Sequence, residues 1–197
     1  MSTVADADVE TPSVTMPTFV DLRAWDAVVS RRGDSYELVE GVPTMAPGES
    51  FINRGAATLL AGLLNADRGD WVAVTDMDVT LRDGPAPTVR RPDVVVARRR
   101  RGESLPPARL LADEVLFVAE VVSPSSVERD LVTKRREYSE AGIPAYLVVD
   151  LRAEPGALTL YEQVEADGGY VASPSGSTVT VIVAGRRIDI AVDDLLT

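Results

Sequence analysis

The sequence predicts an α/β fold, a mixed β-sheet flanked by helices with extra antiparallel strands toward the C-terminus. Three observations carry this. Val115 to Asp150 reads strand, helix, strand, the pattern of a parallel pair joined by a crossover helix. Arg91-Pro-Asp93 leads into Val94-Val-Val-Ala97, the unbroken apolar run of a strand buried on both faces. From Leu158 onward, short alternating segments surround Gly168-Gly169 and Ala184-Gly185 turns.

Residues 1–17 are small, polar and acidic without period, which predicts a disordered tail before a single domain over 18–197. A short helix is expected over Phe19 to Arg32, capped by Thr18, with Leu22, Trp25, Val28 and Val29 at helical spacing and Gly33 as its stop. Tyr36 to Pro43 reads as strand, turn, strand. Gly48-Glu-Ser50 precedes an amphipathic helix over about 51–66, with Ile52, Ala56, Leu59, Leu60 and Leu63 on one face. Trp71 to Thr75 and Asp78 to Leu81 read as strands, and Asp83-Gly-Pro-Ala-Pro as a turn. Arg98 to Pro107 is a basic connection. Val115 to Val122 is a strand interrupted by Glu120. Ser125-x-x-Glu128 has the form of a capping box, Gly142 and Pro144 stop the helix that follows, and Tyr146 to Val149 is the next strand.

Composition excludes several chemistries. The chain has 197 residues with no cysteine and no histidine. Disulfides, thiolate or imidazole metal sites and Ser-His-Asp triads are therefore ruled out. Carboxylates, hydroxyls, arginines and one lysine remain, and carboxylates suit hard ions such as Mg²⁺ or Mn²⁺. There is neither a phosphate-loop nor a dinucleotide fingerprint. No apolar run approaches the roughly 18 residues of a membrane span, and the N-terminus lacks a signal-peptide pattern, so no membrane association and a cytoplasmic location are expected. A net charge of −11 argues against whole-surface affinity for nucleic acid. Local basic clusters at Arg90, Arg91 and Arg98 to Arg101, and at Arg129, Lys134, Arg135 and Arg136, read either as solvated charge or as phosphate contacts.

One residue on the central helix is out of place. At about 100° per residue, Val127, Leu131, Lys134, Tyr138 and Ala141 share one face, which should meet the sheet. Lys134, the only lysine in the chain, sits in the middle of that face. Either its stem packs and its ammonium snorkels outward, or it points inward and must meet an anion, for which Glu120 is nearest in sequence. If the strands carrying Asp93 and Glu120 pair antiparallel, both carboxylates meet at one sheet edge and the helix lays Lys134 over them. Such a trio would hold a divalent cation and stabilise developing negative charge. The alternative is structural: Asp93 at a strand end, and a simple Glu120–Lys134 ion pair.

Pro92-Asp93 followed by Glu120-Val-Val122 resembles the PD-(D/E)XK nuclease signature. The run from Glu120 to Asp150, together with Tyr36-Glu-Leu-Val-Glu-Gly41 and the helix near Asn53, resembles the Uma-two family of restriction-endonuclease-like proteins over roughly Phe19 to Leu196. That resemblance implies a restriction-endonuclease-like core and Mg²⁺- or Mn²⁺-dependent phosphodiester hydrolysis, with DNA as partner and a homodimer by analogy. Asp93 and Glu120 would hold the metal, Lys134 would act in catalysis, and Glu37 would support them, with Glu40 a weaker candidate. Arg98, Arg99, Arg100 and Arg135 would contact nucleic acid, with Arg101 and Arg136 beside them. There are two departures. Val122 stands where the signature has lysine, a role that Lys134 takes over from the following helix. A lysine suits it because burial can lower the pKa of so compact a charge. Asn53 stands where relatives commonly carry histidine. The alternative to an active nuclease is a degenerate member serving as a nucleic-acid-binding or protein-interaction module.

Overall fold

The computed structural model describes residues 19–32, 36–46, 48–66, 69–99, 108–163 and 169–196. The expected N-terminal tail, Thr18, Gly33, Arg100 and Arg101 lie outside these residues, as does Gly168.

Helix α1 (Leu22–Arg32) begins at Asp21, whose side chain accepts the Ala24 N–H at 2.8 Å. It packs Trp25 against strand β1 (Tyr36–Val39), which turns into β2 (Val42–Met45). Helix α2 spans Phe51–Ala66 as expected, with Ser50 accepting the Asn53 N–H at 3.1 Å as its cap. Its buried face differs from the expected one: Asn53, Ala56, Ala57, Leu60, Ala61 and Leu64 face inward, and Ile52 is exposed. Two short strands were not expected, β5 (Thr88–Arg90) and β7 (Leu110–Leu111). Neither is long enough to show a period; each is held by its neighbours.

Instead of one mixed sheet there are two, plus a hairpin. Strands β2-β1-β5-β4-β7, with β4 at Val79–Arg82, form a five-stranded sheet. A six-stranded sheet has the order β11-β10-β9-β8-β6-β3. Its members are β3 (Trp71–Thr75), β6 (Val94–Arg98), β8 (Val115–Val121), β9 (Ala145–Asp150), β10 (Ala157–Gln163) and β11 (Tyr170–Ala172). Strands β12 (Thr178–Val183) and β13 (Arg186–Ala191) make the C-terminal hairpin. Strands β8 and β9 are parallel, and every other pairing in the large sheet is antiparallel.

Period-two alternation sorts the buried strands onto two cores. Val94, Val96, Phe117, Ala119 and Val121 face α2 and the hairpin. Val95, Val118 and Val122 face the other way, with Tyr138, Tyr146 and Val148. No helix among the described residues is long and apolar enough to cross a membrane.

The crossover between β8 and β9 departs from the expected α-helix. Its first part, Arg129–Lys134, is π-helical, and α3 proper is Arg135–Glu140. The expected capping box is absent. Ser125 Oγ pairs with Ser123 Oγ at 3.2 Å, and Ser126 Oγ accepts the Ser123 N–H at 2.9 Å. The turn before the helix takes up these hydroxyls, so none is left to cap its first turn.

Candidate functional site

Strands β6 and β8, the crossover helix and β1 converge at one end of the central strands of the large sheet. The antiparallel register of β6 and β8 sets Val94 against Ala119 and Val95 against Val118. One step further along that register sets Asp93 against Glu120, as the sequence predicts. Both side chains leave the sheet on the face of Val95 and Val118, the face covered by the crossover helix. Asp93 Oδ2 accepts the Val121 N–H at 2.6 Å.

Lys134 points inward and is 5% exposed. Its ammonium donates to Glu120 Oε1 at 2.7 Å and lies 3.2 Å from Glu37 Oε1 and 3.8 Å from Asp130 Oδ1. The snorkelling alternative is thus not what the chain adopts. Asp130, four residues before Lys134, shares its inner face and is buried. Asp130 was missed from the sequence, although an acid four residues before a lysine was a usable signal.

Glu37 reaches the same point from β1. One of its oxygens, Oε2, accepts from Arg90 Nη1 at 2.8 Å; the other, Oε1, accepts the Arg91 N–H at 3.1 Å. Arg90 also forks onto Glu137 of α3 at 2.7 and 2.9 Å. Arg90 is therefore spent inside the protein and is not part of a solvated cluster. Its burial had no local sequence signal, because Arg90 on the short strand β5 acquires its partners from β1 and α3.

Several expected participants are elsewhere. Glu40 sits in the β1–β2 turn, exposed and ion-paired to Arg82 at 3.2 Å. Arg98 and Arg99 are exposed at the far end of β6, about 17 Å along the strand from Asp93. Arg99 Nε donates to the Trp71 carbonyl at 2.7 Å. The Arg135 guanidinium lies over the Tyr161 ring at 5.5 Å, and Arg136 is exposed beside Glu140. Of the described arginines, Arg91 and Arg129 line the cleft. Asn53 lines it too, and its side-chain amide donates to the Val121 carbonyl at 3.2 Å.

The cleft is rich in negative charge. Burial acts to raise the Glu37 carboxyl, but Lys134 and Arg90 outweigh it and hold the group at about 2. Burial pushes Glu120 up to about 7; Lys134 pulls against that, while Asp130 and Glu37 add to it. Asp93 is raised well above the usual carboxylate range by burial and by Glu120, and Asp130 is raised by burial. Burial works to lower Lys134, yet Glu120, Glu37, Asp130 and Asp93 together hold it above its ordinary value. The expectation of a lysine with a lowered pKa is therefore reversed, because four acids surround the one ammonium.

Such a cleft favours added positive charge. Among the described residues no three acids are grouped so as to encase a metal by themselves. Asp93 and Glu120 with water match the way Mg²⁺ is commonly held, by one or two carboxylates and retained waters. Asp93 in particular is a buried carboxylate whose strongest electrostatic neighbour is another acid. The donor set fits a hard divalent ion.

The chain is similar to known proteins in family and in fold. The family profile described as "Putative restriction endonuclease", Uma2, matches residues 19–190. A crystal structure from Anabaena variabilis, described as a putative nuclease of the DUF820 group, superposes with a TM-score of 0.62 at 13% identity, covering 83% of this chain and 90% of that one. At that identity the likeness establishes the fold. No curated protein matches the chain.

Proposed function

The chain belongs to the Uma2 family of restriction-endonuclease-like proteins, and from that premise we propose that it is a divalent-metal-dependent endonuclease hydrolysing phosphodiester bonds of DNA. The observation that carries this reading is the meeting of Asp93, Glu120 and Lys134 at one end of the central strands in a cleft with an excess of acids. Asp93 and Glu120 would hold Mg²⁺ or Mn²⁺. When bound, such an ion lowers the pKa of water and offsets charge on the phosphoryl oxygens.

The protein's own groups divide the remaining work. Lys134 stays protonated at neutral pH, so it supplies a fixed charge and hydrogen bonds to the developing negative charge and does not take up a proton. Glu37, ionised and clamped by Arg90, keeps the ammonium from collapsing wholly onto Glu120. Arg129, and Arg91 with its Nε held by Asp78 Oδ1 at 2.6 Å, are the arginines that line the cleft where a phosphate would sit.

A second reading, a degenerate member that binds nucleic acid or a protein without cutting, is favoured by Asn53 in place of the histidine common in relatives. Nicking of supercoiled plasmid with Mn²⁺, Mg²⁺ or EDTA separates the two. Wild type is expected to nick with either ion and not with EDTA, and Asp93→Ala and Lys134→Ala are expected to lose nicking. Nicking that persists in both variants sinks the site assignment. Absence of nicking with no Mn²⁺ bound in calorimetry favours the degenerate module.

A further inference from the structure

We infer that Tyr138 is a positioning residue for Glu120, holding one carboxylate oxygen so that the other is presented to a divalent cation in the cleft. The inference rests on the nuclease reading above and adds to it a group outside the acid–lysine set. Tyr138 is fully buried, and its hydroxyl donates to Glu120 Oε1 at 2.6 Å. The Lys134 ammonium donates to the same oxygen at 2.7 Å. With Oε1 taken by two donors, Oε2 is the oxygen left for a ligand in the cleft that Glu120 lines.

The two donors are not equivalent. Lys134 divides its contacts among Glu120, Glu37 and Asp130, and a phosphate in the cleft would draw the ammonium toward itself. The Tyr138 hydroxyl is neutral and its ring is fixed. It packs edge-on against Tyr146 at 5.1 Å and 65°, and the Tyr146 hydroxyl is anchored on the Asp130 carbonyl at 2.9 Å. Tyr138 therefore keeps Glu120 in one orientation whichever way Lys134 turns. Their spacing of four residues places both donors on one helix face.

The test is calorimetric titration of the full chain with Mn²⁺ at fixed pH, comparing wild type, Tyr138→Phe and Tyr170→Phe. Tyr138→Phe removes only the hydroxyl and leaves the ring packing in place. Tyr170→Phe is the structural control, because its hydroxyl donates to the Ile143 carbonyl at 2.8 Å, away from the cleft. Loss of the Tyr138 hydroxyl is expected to weaken Mn²⁺ about tenfold, while Tyr170→Phe stays within about twofold of wild type. Thermal melts of both variants, run alongside, register any general loss of stability. Wild-type affinity in Tyr138→Phe overturns the inference and leaves the nuclease reading standing. Equal weakening in both variants, in step with their melting temperatures, makes the role structural and also overturns it. A wild type that binds no Mn²⁺ overturns the nuclease reading and this inference together.

Discussion

Glu37 and Glu120 lie within reach of one ammonium yet are shifted in opposite directions, because Glu37 has Arg90 as a second cation and Glu120 does not. The consequences for stability have opposite signs. Glu37 falls from 4.5 to about 2, so its ionised form stabilises the fold above pH 4.5, by about 3 kcal/mol. That contribution disappears as the pH drops from 4.5 toward 2. Glu120 rises from 4.5 to about 7, so the folded state keeps its proton longer than the unfolded chain, and stability falls as pH rises between those values. Urea unfolding across pH 3 to 8 should therefore show a shallower acid limb for Glu37→Gln. Glu120→Gln should remove part of the decline between pH 4.5 and 7. If both variants parallel the wild-type curve, these two groups do not govern its pH dependence.

At the scale of the element, the crossover helix decides the site. Within 14 residues it must turn Asp130, Lys134 and Tyr138 inward while Arg135 and Arg136 stay out. Two spacings of four keep Asp130, Lys134 and Tyr138 on one side. Deleting the exposed Val132 would let the stretch close to ordinary α-helical spacing, and because the π turn holds one residue more than the α turn, the residues beyond it would keep nearly the same facing. The expected outcome is unchanged helix content by far-UV circular dichroism, with metal-dependent nicking retained. Loss of nicking in this variant would mean that the π turn itself is needed. Helix α2 contributes differently: Ser50 caps it and so fixes Asn53, which reaches the Val121 carbonyl beside Asp93.

For the whole molecule, the balance of charge limits how it can meet a polyanion. The net charge is −11, and only two described arginines, Arg91 and Arg129, line the cleft. Each phosphate contact contributes a slope of about −0.9 to the salt dependence of binding, so with Arg91, Arg129 and Lys134 each on a phosphate the slope for duplex DNA should be about −3. Fluorescence anisotropy with the Asp93→Asn protein measures it. A much steeper slope would show that further arginines, such as Arg98 and Arg99 at the far end of β6, reach the backbone.

The amino-acid sequence speaks through local periodicity and chemistry. It marked the β8–helix–β9 crossover, the buried strand after Asp93 and the bounds of helix α2. It also marked Lys134 as misplaced on an apolar face, because an ammonium there must find acids. Which charges share one space emerges only when the sheets and helices pack. Arg90 belongs to a three-residue strand with no period of its own, yet it meets Glu37 and Glu137 because the neighbouring strand and a helix close around it. Asp130 shares a helix face with Lys134, but only the closing of that face over Glu120 and Glu37 brings it into the cleft. The Lys134 pKa moves up because four acids, brought from β1, the edge of β6, β8 and the crossover helix, outweigh the burial that would have lowered it. Periodicity is a property of neighbours in sequence, whereas the field at an ionisable group is summed over neighbours in space.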